Sequence, residues 1–270
     1  MSNLYVFCGG GAYATPQMGV VEYMLENNIL QPDDVMVGTS FGSISVACLS
    51  SKFSNGQIEA LLNDFNQQVT SLWGIGLFTS IFQFFYTYGL RNIKTVLAGY
   101  IPNVPVPSNV GICATDLSNY SRQFFDGKSA ITLLDAVSAS TSIPVIFTPQ
   151  KINDTFYVDG GIIDNCPLDF QYEKHFDHVI SIGGGYVSSL NVFVPTDSLS
   201  DYLMALLNGM ISKLNYYNLN SKNLVLGHLN NVVTLSYQTL ASNILDFSHW
   251  QADVQNGYES AKQFWKGVVK

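Results

Sequence analysis

Charge is scarce in this chain, and positive charge most of all. Lys and Arg number 12 against 20 Asp and Glu, charged residues are 12% of the chain, and the net charge is -8. Nucleic acid binding and electrostatic docking on anionic lipid both need clustered Lys and Arg, so both are excluded, and any membrane contact must be mainly apolar. Cysteine is sparse as well. Cys8, Cys48, Cys113 and Cys166 lie far apart with no C-x-x-C spacing, which argues against a zinc site or a disulfide framework and predicts reduced thiols in a cytoplasmic setting. Histidine is limited to His175, His178, His228 and His249, which leaves few imidazoles to act as a base. Met1-Ser2-Asn3 lacks the basic region of a secretory signal, and the apolar run Leu4 to Cys8 is too short to complete one.

Between Asp64 and Arg91 there is no charged residue, a span long enough to cross a bilayer. Gln67, Gln68, Ser71, Gly74, Gly76, Ser80, Gln83 and Gly89 interrupt it, so the stretch reads as a buried helix pair or a substrate-facing lid rather than a membrane span. Its aromatics, from Trp73 to Tyr88, read first as core, with peripheral membrane contact or an acyl-pocket wall as the alternative.

What is present is apolar bulk: 47% of 270 residues is enough for one large domain over residues 1–270. The motif-bearing part covers about residues 4–185, and a mostly helical portion follows over about 186–270. Leu4 to Cys8 reads as a strand buried on both faces, and a helix follows from Pro16 to Asn27. Val35-Met36-Val37 reads as a second strand, and the small residues of Phe41 to Ser51 as a helix lying close on a sheet. Val110–Ala114, Thr155–Val158 and Val179–Ile182 read as further strands. Leu133–Ser140, Asp201–Leu219 and Val254–Trp265 read as helices. Strands alternating with helices predict an α/β fold of three layers, a mainly parallel central sheet with helices on both faces.

Two short motifs carry chemistry. Gly9-Gly10-Gly11 follows the first strand, and Gly38-Thr39-Ser40-Phe41-Gly42 is a G-x-S-x-G at a strand-to-helix junction. A serine hydroxyl becomes a useful nucleophile only when it is presented at a sharp turn, near a base and opposite donors for an oxyanion. Ser40 is the candidate nucleophile, and the amides of Gly9, Gly10, Gly11 and Phe41 are the candidate donors. For the base, a histidine triad would call on His228 or His249, but only two strands precede the elbow, fewer than such hydrolases place there. A carboxylate acting directly is the other solution. Asp159 in Val158-Asp159-Gly160-Gly161 ends a β-rich segment, with Asp116, Asp126 and Asp164 as competitors. Gly9-x-Gly11-x-x-Ala14 also fits the loose dinucleotide fingerprint, but the second strand ends in Gly38-Thr39-Ser40 rather than in an acid for a ribose.

These motifs, in this order, resemble the patatin-like acyl hydrolases. The likeness adds Gly19-Val20-Val21, Ala114-Thr115-Asp116-Leu117, the run Ala139 to Phe147, and Asp159-Gly160-Gly161 with Asn165 and Pro167. Gly257 to Ala261 is a weaker echo. The resemblance implies a lipid or fatty-acyl ester as substrate, a Ser40–Asp159 dyad without catalytic histidine, and no metal or organic cofactor. One departure stands out: Tyr13 and Ala14 occupy positions where the family usually has a cation followed by glycine. Loss of that cation removes a group that would meet a phosphate, and it motivates a second reading as a catalytically silent lipid-binding module.

Overall fold

The computed structural model describes residues 2–68, 92–144, 146–171, 173–183, 232–241 and 244–268. The expected helix at Asp201–Leu219, the aromatic run Trp73 to Tyr88, His228, Gly184 and Gly185 lie outside them. The strands are β1 (Asn3–Phe7), β2 (Val35–Thr39), β3 (Val110–Asp116), β4 (Ser121–Asp126), β5 (Gln150–Ile152), β6 (Thr155–Asp159), β7 (His178–Ile182) and β8 (Val232–Leu235). The helices are α1 (Pro16–Glu26), α2 (Phe41–Ser50), α3 (Asn55–Gln68), α4 (Ile93–Leu97), α5 (Leu133–Ser140) and α6 (Trp250–Val268). The C-terminal portion thus contributes β8 to the sheet as well as a helix.

β2, β1, β7 and β8 run parallel in that spatial order, and β3 joins β2 in the same sense. Side chains alternate across β1 as a strand period of two requires. Tyr5 and Phe7 enter a large cluster shared with Met18 and Met24 of α1 and Ile44 and Leu49 of α2. Leu4, Val6 and Cys8 enter a second cluster, covered by Leu168, Phe170 and Phe176. Among the described residues no helix is long and apolar enough to cross a membrane.

Register explains how distant residues meet. β4 lines one edge of β3 from Gly111 to Asp116, so β2 and β6 share the other edge. Thr39 pairs with Cys113 and Asp159 pairs with Ala114, its neighbour in sequence. β2 runs parallel to β3 and β6 antiparallel, so the two strands point at each other and abut end to end. Whatever follows Thr39 must therefore face Asp159.

Candidate active site

Ser40 alone separates the end of β2 from the start of α2, and its backbone sits at φ 52, ψ -128. A residue with a side chain occupies that region only when its surroundings over-determine it, at a cost of ~1–3 kcal/mol. The two flanking glycines allow the turn. A Cβ on Gly42 would run into the Phe7 carbonyl, and one on Gly38 into the Gly42 carbonyl. The elbow expected from the motif is therefore formed, with Ser40 at the N-terminus of α2.

Ser40 Oγ donates to Asp159 Oδ2 at 2.6 Å. The other carboxylate oxygen, Oδ1, accepts the Gly161 N–H at 2.7 Å. Burial raises the Asp159 pKa from 3.8 to about 7, against the opposing pull of the hydrogen bonds from Ser40 and Gly161. A carboxyl that titrates near neutrality can both accept and return a proton. The rival acids are committed elsewhere. Asp116 Oδ1 accepts from Ser118 in a turn, Asp126 Oδ1 from the Lys128 N–H, and Asp164 binds Arg122 and the Cys166 N–H. His175 and His178 are exposed where β7 begins, at the end of the strands away from Ser40, and His249 is exposed just before α6. Among the described residues no histidine is bonded to Ser40.

The glycine loop divides its labour. The Gly9 N–H donates to the Asn165 carbonyl at 2.9 Å, and Asn165 Nδ2 returns a bond to the Gly9 carbonyl at 3.1 Å. Gly9, expected as an oxyanion donor, thus fastens the loop to the segment after Asp159, because its amide is already used. The N–H groups of Gly10, Gly11 and Phe41 have no protein acceptor among the described residues. Gly11 needs to be glycine: its φ is +54, and a Cβ there would strike the Ile244 carbonyl. Below the loop, buried Gln17 donates to the Cys8 and Ile182 carbonyls at 2.7 and 3.2 Å and accepts from Ser45 Oγ at 2.9 Å. That amide joins β1, β7 and α2, a role that composition does not signal.

The expectation of reduced cysteines is corrected for one pair. Cys8 and Cys166, separated by 158 residues, are joined as a disulfide between the end of β1 and the segment after Asp159, while Cys48 and Cys113 are buried and take no part in it. No local spacing announces this, since the sheet brings the two together.

Tyr13, in place of a cation, is half-buried, and burial together with the nearby Asp246 charge pushes its phenol pKa up. It therefore stays neutral. Beside Ser40 lies an open pocket lined by Phe41, Ile44, Phe65, Ile143, Ile244 and Phe247 among others, none of the described lining residues being charged. Phe247 stacks on Phe41 at 5.9 Å and meets Phe65 edge-on at 5.3 Å. The wall formed by Ile244, Leu245 and Phe247 comes from far along the chain and went unread in the sequence.

A family model described as patatin-like phospholipase matches residues 5–170. Lysophospholipase NTE1 of Candida albicans is 23% identical over 212 residues, covering 74% of this chain and 14% of that protein. Lysophospholipase nte1 of Aspergillus niger is 25% identical over 209 residues, covering 73% of this chain and 13% of that protein. The chain therefore spans only a small part of these two relatives. The crystal structure of VipD from Legionella pneumophila superposes with a TM-score of 0.50 at 12% identity, covering 98% of this chain and 66% of that one, which supports the fold.

Proposed function

The chain belongs to the patatin-like phospholipase family, and from that premise we propose that it hydrolyses fatty-acyl esters through an acyl-enzyme on Ser40. The observation that carries the reading is the 2.6 Å bond from Ser40 Oγ to a buried Asp159 beside an uncharged pocket. Ionised Asp159 accepts the Ser40 proton as Oγ attacks the ester carbonyl. The tetrahedral oxyanion is met by the N–H groups of Gly10, Gly11 and Phe41, a pre-set group of donors of the kind worth about 10²–10³-fold each in rate. Collapse expels the alcohol, which takes the proton back from Asp159. Water then repeats the sequence and releases the fatty acid. No step needs a metal, so activity is expected to survive EDTA.

The test is fatty-acid release from p-nitrophenyl esters and from phospholipid vesicles, followed against pH. Asp159 accepts a proton only when ionised, so kcat/KM is expected to rise with pH through a midpoint near 7 and level off above it. A flat profile from pH ~5 to ~9 would remove Asp159 as the base. Neutral glycerides and phospholipids are compared in the same assay, since Tyr13 offers no charge to a phosphate.

The aromatic wall bears on the acyl chain. Phe247→Ala is expected to favour palmitoyl over butyryl p-nitrophenyl esters by at least about tenfold in the ratio of kcat/KM, the scale set by a few methylenes in an apolar pocket.

A further inference from the structure

Three hydroxyls near the end of α5 point back along their own helix. Ser138 Oγ donates to the Leu134 carbonyl at 2.6 Å, Thr141 Oγ1 to Val137 at 2.8 Å, and Ser142 Oγ to Ser138 at 2.7 Å. This is the ordinary way to satisfy a buried Ser or Thr in a helix. Ser140, fully buried among them, does otherwise. Its Oγ donates out of the helix to the Cys113 carbonyl on β3 at 2.6 Å and accepts the backbone N–H of Ser40 at 2.9 Å. Two residues on, the Ser142 carbonyl accepts the backbone N–H of Asp159 at 2.9 Å.

The geometry points to residues 140–142 as a jig that holds Ser40 and Asp159 in register, with Ser140 as a positioning residue for the nucleophile. The reading rests on the hydrolytic role proposed for the pair. Its physical basis is that neither β2 nor α2 supplies an acceptor for the Ser40 N–H, because the residue lies in a strained turn between them. A buried N–H without a partner carries a free-energy cost, and so does the positive-φ backbone at Ser40. One hydroxyl removes the first cost and helps to enforce the second. It is tied to Cys113, the β3 residue that pairs with Thr39 immediately before the nucleophile. The strand that aligns β2 with β6 therefore also anchors the group that holds Ser40. On the other side, Thr115 Oγ1 donates to the Asp159 carbonyl at 2.9 Å, so both members of the pair hang from β3 and the end of α5.

Ser138→Ala supplies a matched control: it removes an equally buried hydroxyl from the same helix whose bond is only to Leu134. Ser140→Ala and the near-isosteric Ser140→Cys are compared with it by steady-state kinetics on a soluble ester and by ¹³C NMR titration of the Asp159 carboxyl. Both Ser140 variants are expected to lower kcat by about 10–100-fold with KM little changed, the range for a small misplacement of a reacting group. They should also move the Asp159 titration upward, because a looser Ser40 hydroxyl stabilises the carboxylate less. Ser138→Ala should move neither. The inference is overturned if the Ser140 variants match Ser138→Ala in both readouts. If the wild type releases no fatty acid while the Ser140 variants still shift the titration, the hydrolase reading fails and the jig stands.

Discussion

Asp159→Asn is expected to lose at least about 10⁴-fold in kcat, as Ser40→Ala does, and yet to melt at a higher temperature than the wild type above neutral pH. The loss follows from the chemistry: an amide cannot accept the Ser40 proton, and no other base is bonded to that hydroxyl among the described residues. The gain follows from linkage. In the unfolded chain the carboxyl releases its proton near pH 3.8, whereas in the folded chain burial holds the proton until about 7. Between those values the folded state binds more protons than the unfolded one, so stability falls as pH rises through the window and stays lower above it. An amide never ionises and avoids that loss. Melting curves of wild type and Asp159→Asn should therefore converge near pH 4 and separate by pH 8, with the variant above by several degrees. Equal melting temperatures at both pH values would mean that Asp159 is not held near neutrality. A lower melting temperature at pH 8 would show that the ionised carboxylate is a net stabiliser. With the variant melting above the wild type at pH 8, the site is an example of function kept at the expense of stability.

Much of this arrangement was legible in the sequence because its signals are local. The helix read at Leu133–Ser140 agrees with the observed bounds of α5, and the elbow at Ser40 follows from two glycines around one serine. Continuous apolar runs marked β1, β2 and β7 because strands buried on both faces need no polar alternation. Strand β4, Ser-Arg-Gln-Phe-Phe-Asp, went unread because it runs along an edge of the sheet and carries polar residues there. β8 went unread because only Leu235 of its residues is buried. The choice of Asp159 over Asp116, Asp126 and Asp164 rested on the resemblance. Its physical ground is the register that sets β6 against β2, and no spacing along the chain encodes that. The same holds for Gly9, whose amide is taken by a carbonyl 156 residues away, and for Cys8 with Cys166.

The second large effect lies away from Ser40, where α1 crosses α6. Gly257→Ala is expected to destabilise the fold by about 3 kcal/mol, at the upper end of what overpacking costs. A Cβ on Gly257 would collide with the Pro16 carbonyl, and one on Gly19 with the Val254 carbonyl, so the helices touch backbone to backbone at two reciprocal glycines. Around that contact Tyr23 stacks on Trp265 at 5.7 Å and meets Tyr258 edge-on at 5.4 Å, while the Tyr258 hydroxyl donates to Glu26 Oε2 at 2.7 Å. Backbone cannot yield as a side chain does, so a methyl group must push α6 away and loosen those pairs together. Gly267→Ala is the control within the same helix. It meets nothing within 4 Å, and it should be neutral or stabilising by about 0.5–1 kcal/mol from helix propensity alone. Thermal melts should separate the two by roughly 6–12 °C, and equal melting temperatures would dispose of the close-packed crossing. The consequence reaches Ser40, because Pro16 opens α1 directly after the Gly11–Ala14 turn. If α6 moves Pro16, it moves the Gly10 and Gly11 amides with it. Gly257→Ala should therefore lower kcat even at temperatures where the protein remains folded, while Gly267→Ala leaves it unchanged.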